Sequence, residues 1–434
     1  MRVPFGAEGF QEITDNTTEW AEGVVLLKTA QNTPYVEAME TSPPTLTPDE
    51  LIRIWGLDTL QVVGITGTNG KTTTAAVLYS LLNDLGHPAA LQGTRGLFAG
   101  DNRLEAKSMT TPSILHTLVN MRRALEHGCT HFVMEVSSHA IDQQRIEGLT
   151  FALKIHTNVT SDHLDYHGSV EAYRKVKSRF FADASPKLLN KDALTHLEYN
   201  PKQAQTYGVD APATYGIIAY TLRGGIHAGV QALGEEAEFH SSLMGFFNLY
   251  NLLAAIAAAK RLTDAPLEAV CRQVEHFGGV SGRMEVVSRD PMVIVDFAHT
   301  EDGIVNVLES LRDQKIVVVF GAGGDRDRTK RPRMGAAVGR FANRIYVTSD
   351  NPRSEDPQAI IDEIMVGLQG KDHVTALVDR REAIETALAS LAEDEVLVIL
   401  GKGDETWQEI AGVKQPFDDR VVVREWLAKQ SSGR

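Results

Sequence analysis

The stretch Gly64 to Thr74, GITGTNGKTTT, constrains the chain more than any other. It follows the apolar run LQVV and precedes AAVLYSLLNDLG, which carries a helical pattern. A strand that passes through glycines into a helix lets backbone N–H groups and a helix N-terminus wrap a phosphate. In that arrangement Lys71 reaches the β- and γ-phosphates and the Thr72 hydroxyl sits on Mg²⁺. The spacing departs from the common G-x-x-x-x-G-K-[ST] form, because Ile65 stands where the first glycine would fall. The core keeps the mechanism, so Gly67, Thr68, Asn69, Gly70, Lys71, Thr72 and Thr73 are the expected nucleotide loop.

The surrounding pattern alternates. Strand-like runs at 60–65, 131–136 and 151–159 are separated by helical stretches such as 73–85 and 113–127. A second block begins near Gly282, with strand-like runs at 293–298, 315–321, 344–350, 373–379 and 396–403. This rhythm predicts an α/β fold built on mostly parallel sheets. In such sheets functional loops follow the strand C-terminal ends. Here those loops read DFAHT, GAGGDRDRTKRP, TSDNPRSED and GKGDETWQ, all rich in polar chemistry. Residues 1–58 form a short, weakly patterned unit that ends near the linker TSPPTLTPDE. At 434 residues the chain is too long for one typical domain, and the expected division is 1–58, 59–278 and 279–434.

Charge and composition narrow the function classes. The formal net charge is −14, with 57 acidic against 43 basic residues, which disfavours a general nucleic-acid binder. Cys129 and Cys271 lie far apart, offer no thiolate metal site and suit a reducing compartment. The N-terminus lacks an apolar leader core, and no run of about 18 apolar residues occurs. The expectation is a soluble cytoplasmic protein with no membrane partner.

Lys177 is out of place. On a helix expected over 169–182, Val170, Tyr173, Phe180 and Phe181 define an apolar face, and Lys177 stands one turn from both Tyr173 and Phe181. A lysine there must snorkel outward or change its charge.

TGTNGKTTT resembles the ATP loop of the Mur ligases and the folylpolyglutamate synthetases. Further stretches resemble the Mur ligase family in order over roughly 58–410: MEVSSHAIDQQRIEGL (134–149), TNVTSDHLDYHGSVEAYRKVKSRFF (157–181), GFFNLYNLLAA (245–255), GRMEVV (282–287), DFAHTEDGI (296–304), GGDRDRTKRP (323–332) and DNPRSEDP (350–357). The resemblance implies three domains: a short N-terminal UDP-binding domain, a central P-loop ATPase domain and a C-terminal Rossmann-like domain. It implies an ATP-dependent amide-bond ligase acting on UDP-MurNAc-L-Ala-D-Glu. ATP would phosphorylate the D-Glu γ-carboxylate to an acyl phosphate, and an amine would displace the phosphate.

By the same resemblance Lys71, Glu135, His163 and Lys177 form the catalytic set. Thr72, Glu135, His163 and Lys177 would hold Mg²⁺, with Lys177 carbamylated by CO₂. A histidine ligand is unusual for Mg²⁺ on chemical grounds. On the ATP side Asn248 and Asn251 would contact adenine, Arg283 the phosphates, and Asp296 and His299 the ribose and phosphates, with Lys330 and Arg331 nearby. Asn16 in ITDNTTEW matches a uridine-binding turn, and Thr110, Thr111, Ser137, Gln143 and Arg145 match positions that hold the muramoyl dipeptide.

The incoming amine is decided by charge. Lysine and meso-2,6-diaminopimelate differ by one carboxylate on the distal carbon, so a diaminopimelate site needs a cation there. DNPR supplies Arg353, with Asp350 and Asn351 to grip an ammonium and Pro352 between them. The resemblance adds Arg326, Gly401 and Glu405, while GKGDE carries Asp404 where the family has histidine. Asp404 would bring negative charge close to the amine pocket. The expectation is a monomer that adds meso-diaminopimelate. The alternatives are a lysine-adding ligase, a folylpolyglutamate-synthetase-like ligase and a catalytically dead regulatory relative. The dead relative should lack Lys71, Glu135, His163 or Lys177, and all four are present.

Overall fold

The computed structural model describes residues 1–7, 10–100, 102–106, 109–160 and 162–432. The loop at Gly67 leaves strand Gln61–Thr66, whose residues after Gln61 are all buried. That strand lies mid-sheet, paired in parallel with Leu153–His156 on one side and His131–Glu135 on the other. The sheet has eleven strands among the described residues. Seven of these run parallel in succession, from Tyr215–Thr221 to Ala89–Gly93. Antiparallel strands extend both edges. Parallel pairing puts the C-terminal ends of the three middle strands along one edge, where Gly67, Val136 and Thr157 emerge side by side.

Strand side chains alternate between faces, and two cores result. Val63, Ile65, Val133, Leu153 and Ile155 pack with helices Lys71–Asp84 and Phe246–Leu262. Val62, Phe132 and Met134 face the other way, toward Ile114–Glu126 and Val170–Arg179. The N-terminal residues make a four-stranded sheet rather than an unpatterned unit. Its Val3, Phe5, Ile13, Val25 and Leu27 belong to that same second core.

A separate six-stranded sheet carries the second block, in the spatial order Glu285–Arg289, Met292–Asp296, Glu395–Leu400, Lys315–Phe320, Arg344–Val347, Val374–Ala376. All its pairings are parallel except the first. Apolar residues cover both faces, as a parallel sheet requires. On sheet membership we propose 59–278 and 279–434 as two units, with 1–58 packed on the first of them. Several strands are shorter than their apolar runs. The run at 151–159 pairs only over Leu153–His156, because Thr157 and Asn158 turn their polar groups to the nucleotide loop. Among the described residues no helix is long and apolar enough to cross a membrane.

Candidate active site

The nucleotide loop is tightly braced. A Cβ at Gly67 would lie 1.8 Å from Thr157 Oγ1. Gly70 has φ +84°, and a Cβ there would lie 2.3 Å from Asn251 Oδ1. Asn69 N donates to Asn158 Oδ1 at 2.9 Å, and Thr157 Oγ1 donates to Asn69 O at 2.6 Å. Thr68 and Tyr173 share a hydroxyl–hydroxyl bond of 3.0 Å. Lys71 folds back on the loop, donating to Gly67 O at 2.8 Å and Thr68 O at 2.9 Å. Burial lowers its pKa, against the pull of Glu135 and Asp162.

Lys177 resolves its sequence conflict by turning inward. It is 1% exposed, and its Nζ donates to the same Gly67 O at 2.9 Å. Burial, reinforced by the charge of Lys71, drives its pKa well below the lysine range.

Glu135 ends its strand against the start of the loop helix. Thr72 Oγ1 donates to Glu135 Oε2 at 2.8 Å, and Thr94 N donates to Oε1 at 2.9 Å. Gly93 makes room, since a Cβ there would lie 2.1 Å from Oε1. His163 adopts φ +52°, with its Nε2 3.4 Å from Asp162 Oδ2 and its ring edge-on to His139 at 4.8 Å. Burial brings its pKa down to about 4, opposed by Asp162. Thr72, Glu135 and His163 line one cleft of about 1600 Å³ with Lys71. Lys177 is held at Gly67 O beside Lys71. Among the described residues no three His, Cys, Asp or Glu side chains converge as a metal site.

The opposite wall of the cleft comes from the C-terminal sheet. Arg283, Asp296 and His299 all line it. Arg283 lies over the Phe297 ring at 4.2 Å. Asp296 accepts from Met284 N and Ala298 N at 2.7 Å, and burial raises its pKa against the charge of Arg283. Three bonds tie the walls together. Asn69 Nδ2 reaches Asp302 Oδ2 at 2.7 Å, Thr160 Oγ1 reaches the same oxygen at 3.0 Å, and Lys330 Nζ reaches Asp162 Oδ1 at 3.0 Å.

Three ATP-side expectations change. Asn248 is buried, donates to Met244 O and accepts from Asn251 Nδ2, so its amide is spent inside the helix. Asn251 lines the cleft but supports Gly70 from behind, where it also accepts from Thr74 Oγ1. Arg331 is 1% exposed and forks between Glu355 and Glu363 at 2.7–2.9 Å. These bonds from both terminal nitrogens make it a brace of the C-terminal unit.

Asn16 and Arg145 line a second pocket of about 340 Å³, between the N-terminal sheet and the central unit. Arg145 Nη1 donates to Thr111 O at 2.8 Å and its Nε to Gln143 Oε1 at 2.9 Å. Thr111 Oγ1 donates to Glu135 O at 2.9 Å and accepts from Ser137 N at 3.0 Å. Thr110 meets Thr94 at 3.1 Å in the large cleft. The expected dipeptide residues thus form one network from the small pocket to Glu135.

The loops DNPR and GKGDE follow Arg344–Val347 and Glu395–Leu400, the two strands that flank Lys315–Phe320, and they meet across its C-terminal end. Arg353 has φ +52°, and its Nη1 donates to Gly324 O. Gly324 is needed, since a Cβ there would lie 1.9 Å from Pro352 O. A Cβ at Gly401 would lie 2.5 Å from the buried Asp350 Oδ2. Asn351 does not present its amide to the pocket: its Nδ2 donates to Glu405 Oε2 at 2.9 Å, and its Oδ1 accepts from Lys402 Nζ and Glu409 N. Arg326 is exposed and donates to Asp325 O at 3.2 Å. Asp404 Oδ2 lies 3.9 Å from Arg95 Nε of the central unit, at the junction of the two sheets.

Sequence reasoning passed over Asn158, Asp162, Asp302 and Lys402. All four lie within motifs it had marked, beside the residues chosen from them. Their bonds join segments far apart in the chain, and no local pattern carries that pairing.

Comparison with known proteins matches residues 65–259 to the Mur ligase middle domain and residues 282–403 to the Mur ligase glutamate ligase domain. A UDP-N-acetylmuramoyl-L-alanyl-D-glutamate–2,6-diaminopimelate ligase from Wolinella succinogenes is 51% identical over 425 residues, covering 98% of each chain. A protein of the same name from Helicobacter pylori is 45% identical, covering 97% of this chain and 96% of that one. A solved structure of a ligase with this name superposes with a TM-score of 0.67 at 30% identity, covering 96% of this chain and 95% of that one. A Mycobacterium tuberculosis folylpolyglutamate synthase, at TM-score 0.65 and 18% identity over 81% of this chain and 90% of that one, shares the fold. With near full-length identity of this order beside the braced loop and the two-walled cleft, the chain belongs to the Mur ligase family.

Proposed function

We propose that this chain is an ATP-dependent ligase that joins meso-2,6-diaminopimelate to the D-Glu γ-carboxylate of UDP-MurNAc-L-Ala-D-Glu during peptidoglycan precursor synthesis. The observation that carries the choice of amine is Arg353, whose guanidinium lies on the Gly323–Gly324 turn. A cation there answers the one carboxylate that diaminopimelate has and lysine lacks. The near full-length likeness to relatives bearing this name supports the same reading.

In this reading the small pocket at Asn16 and Arg145 takes the uridine end of the substrate. The network through Thr111, Ser137 and Gln143 leads the dipeptide toward Glu135. The nucleotide loop holds the ATP phosphates, and Lys71 swings from its own loop carbonyls to them. Transfer of the γ-phosphoryl group to the carboxylate needs positioning and charge neutralisation more than covalent help. The amine then attacks the acyl carbon, and phosphate leaves. Closure of the two walls keeps water from the acyl phosphate.

Mg²⁺ fits the oxygens of Thr72 and Glu135, a hydroxyl and a carboxylate side by side, with His163 in the same cleft. When bound it neutralises phosphate charge. Lys177 fits carbamylation for a separate reason: burial, then the charge of Lys71, disfavours its ammonium form. Once deprotonated, Nζ attacks the carbon of CO₂, one C=O π pair moves onto oxygen and the nitrogen loses a second proton, giving an anionic carbamate. The working protein in this reading is a cytoplasmic monomer.

The test is phosphate release by purified protein with Mg-ATP and UDP-MurNAc-L-Ala-D-Glu across a panel of amino acids. Turnover with meso-diaminopimelate and little with L-lysine is expected. Preferential turnover with lysine would remove Arg353 as the selector, and no turnover with any amine would overturn the ligase reading.

A further inference from the structure

Beneath the amino-acid loops lies a lysine that the reaction above does not use. Lys402 is 0% exposed. Its Nζ donates to Glu405 Oε2 at 3.1 Å and to Asn351 Oδ1 at 3.2 Å, and lies 5.6 Å from the Trp407 ring centroid. Asn351 Nδ2 donates to the same Glu405 Oε2 at 2.9 Å. Three side chains therefore close a triangle whose two donors converge on one carboxylate oxygen. No bond among the described residues takes the other oxygen, Oε1. The backbone enforces this aim. Gly401 and Gly403 flank the lysine at φ +111° and +54°, and a Cβ at Gly403 would lie 2.7 Å from Gly282 O.

We propose that Lys402 is a positioning residue for the incoming amino acid: by pinning Asn351 and one oxygen of Glu405, it holds the other oxygen in a single orientation to accept an ammonium. The proposal rests on the reading of this pocket given above. A carboxylate on a flexible side chain can turn either oxygen toward a ligand and can swing away from it. With Oε2 held by two donors, that rotation is lost before the ligand arrives, which lowers the ordering cost of binding. Arg353 and the fixed oxygen of Glu405 then present opposite charges to a zwitterionic carbon, which carries both a carboxylate and an ammonium. The amide of Asn351 bridges the buried cation and the anion a second time, beside their direct bond.

The experiment compares Lys402→Met, Lys402→Arg, Glu405→Gln and the double variant Lys402→Met/Glu405→Gln, measuring KM separately for the amino acid, ATP and UDP-MurNAc-L-Ala-D-Glu. Lys402→Met should raise the amino-acid KM by about tenfold or more, the scale seen when one partner of a buried charge pair is removed. The other two KM values should stay within about twofold, as expected of independent sites. Lys402→Arg should recover part of the loss. The double variant should be no worse than Glu405→Gln alone, because both changes act through one carboxylate. A uniform rise in all three KM values, additive losses in the double variant or an unchanged amino-acid KM would each overturn the proposal. If Lys402→Met does not fold, Lys402→Arg keeps the buried charge and carries the same comparison. Wild-type turnover with lysine but not diaminopimelate would overturn the choice of amine, and the Lys402 comparison would then be read with lysine, whose ammonium Glu405 also accepts.

Discussion

Replacing Gly401 by alanine should damage amino-acid use selectively. The new Cβ would lie 2.5 Å from Asp350 Oδ2. That is roughly 1 Å inside ordinary van der Waals contact. Asp350 is 7% exposed, so its carboxylate has no solvent into which to retreat. The backbone resists as well, because Gly401 has φ +111°, outside the range alanine adopts readily. Strain of this kind costs about 1–3 kcal/mol. At about 2–4 °C per kcal/mol for a domain of this size, the melting temperature should fall by a few degrees up to about 10 °C. Misplacing a binding group by about 1 Å costs up to about a hundredfold. We therefore expect the diaminopimelate KM to rise by about ten- to a hundredfold, with a far smaller change for ATP. The assay is phosphate release at saturating ATP and UDP-MurNAc-L-Ala-D-Glu, with the amino acid varied. An unchanged diaminopimelate KM, or an equal loss on the ATP side, would refute the placement of Asp350 and Gly401 at the amino-acid pocket.

Three further outcomes follow from the structure. Gly67→Ala should abolish nucleotide binding, because its Cβ would enter Thr157 Oγ1 at 1.8 Å and push out the hydroxyl that holds Asn69; normal binding of a fluorescent ATP analogue would contradict this. Lys177→Ala should abolish ligation, with rescue by short carboxylic acids if a carbamate is the working form; a wild-type rate in the variant would end that role. His131 is held neutral with a pKa down to about 4, by burial first and then by His87. The unfolded chain, with its ordinary histidine pKa, binds the proton first. Stability is therefore full above about pH 6.5 and declines toward pH 4, by up to about 1.4 kcal/mol per pH unit. His131→Gln should flatten that part of the urea-denaturation profile, and an unchanged slope between pH 6.5 and 4 would rule out His131 as a contributor.

The α/β rhythm, the nucleotide loop and the displaced Lys177 were legible in the sequence. Each is a local signal: alternation along a strand, glycines at a strand–helix turn, or one charge on an apolar helix face. The N-terminal sheet was not legible. Its strands are short, and their apolar residues complete a core supplied by Phe132 and Met134, far along the chain. The motif residues were found as sets, while the division of labour inside each set was hidden. Asn351 looked like a ligand because it sits in DNPR, yet Lys402, Glu405 and Glu409 occupy its amide. Arg331 was expected near ATP, and Glu355 and Glu363 claim its guanidinium. Composition and periodicity by themselves determined the kind of sheet and the place where a phosphate could be held, because both follow from backbone geometry repeated over a few residues. Which polar groups remain available to a ligand was decided by tertiary structure alone, because a hydrogen bond between residues distant in the chain exists only once both strands are in place.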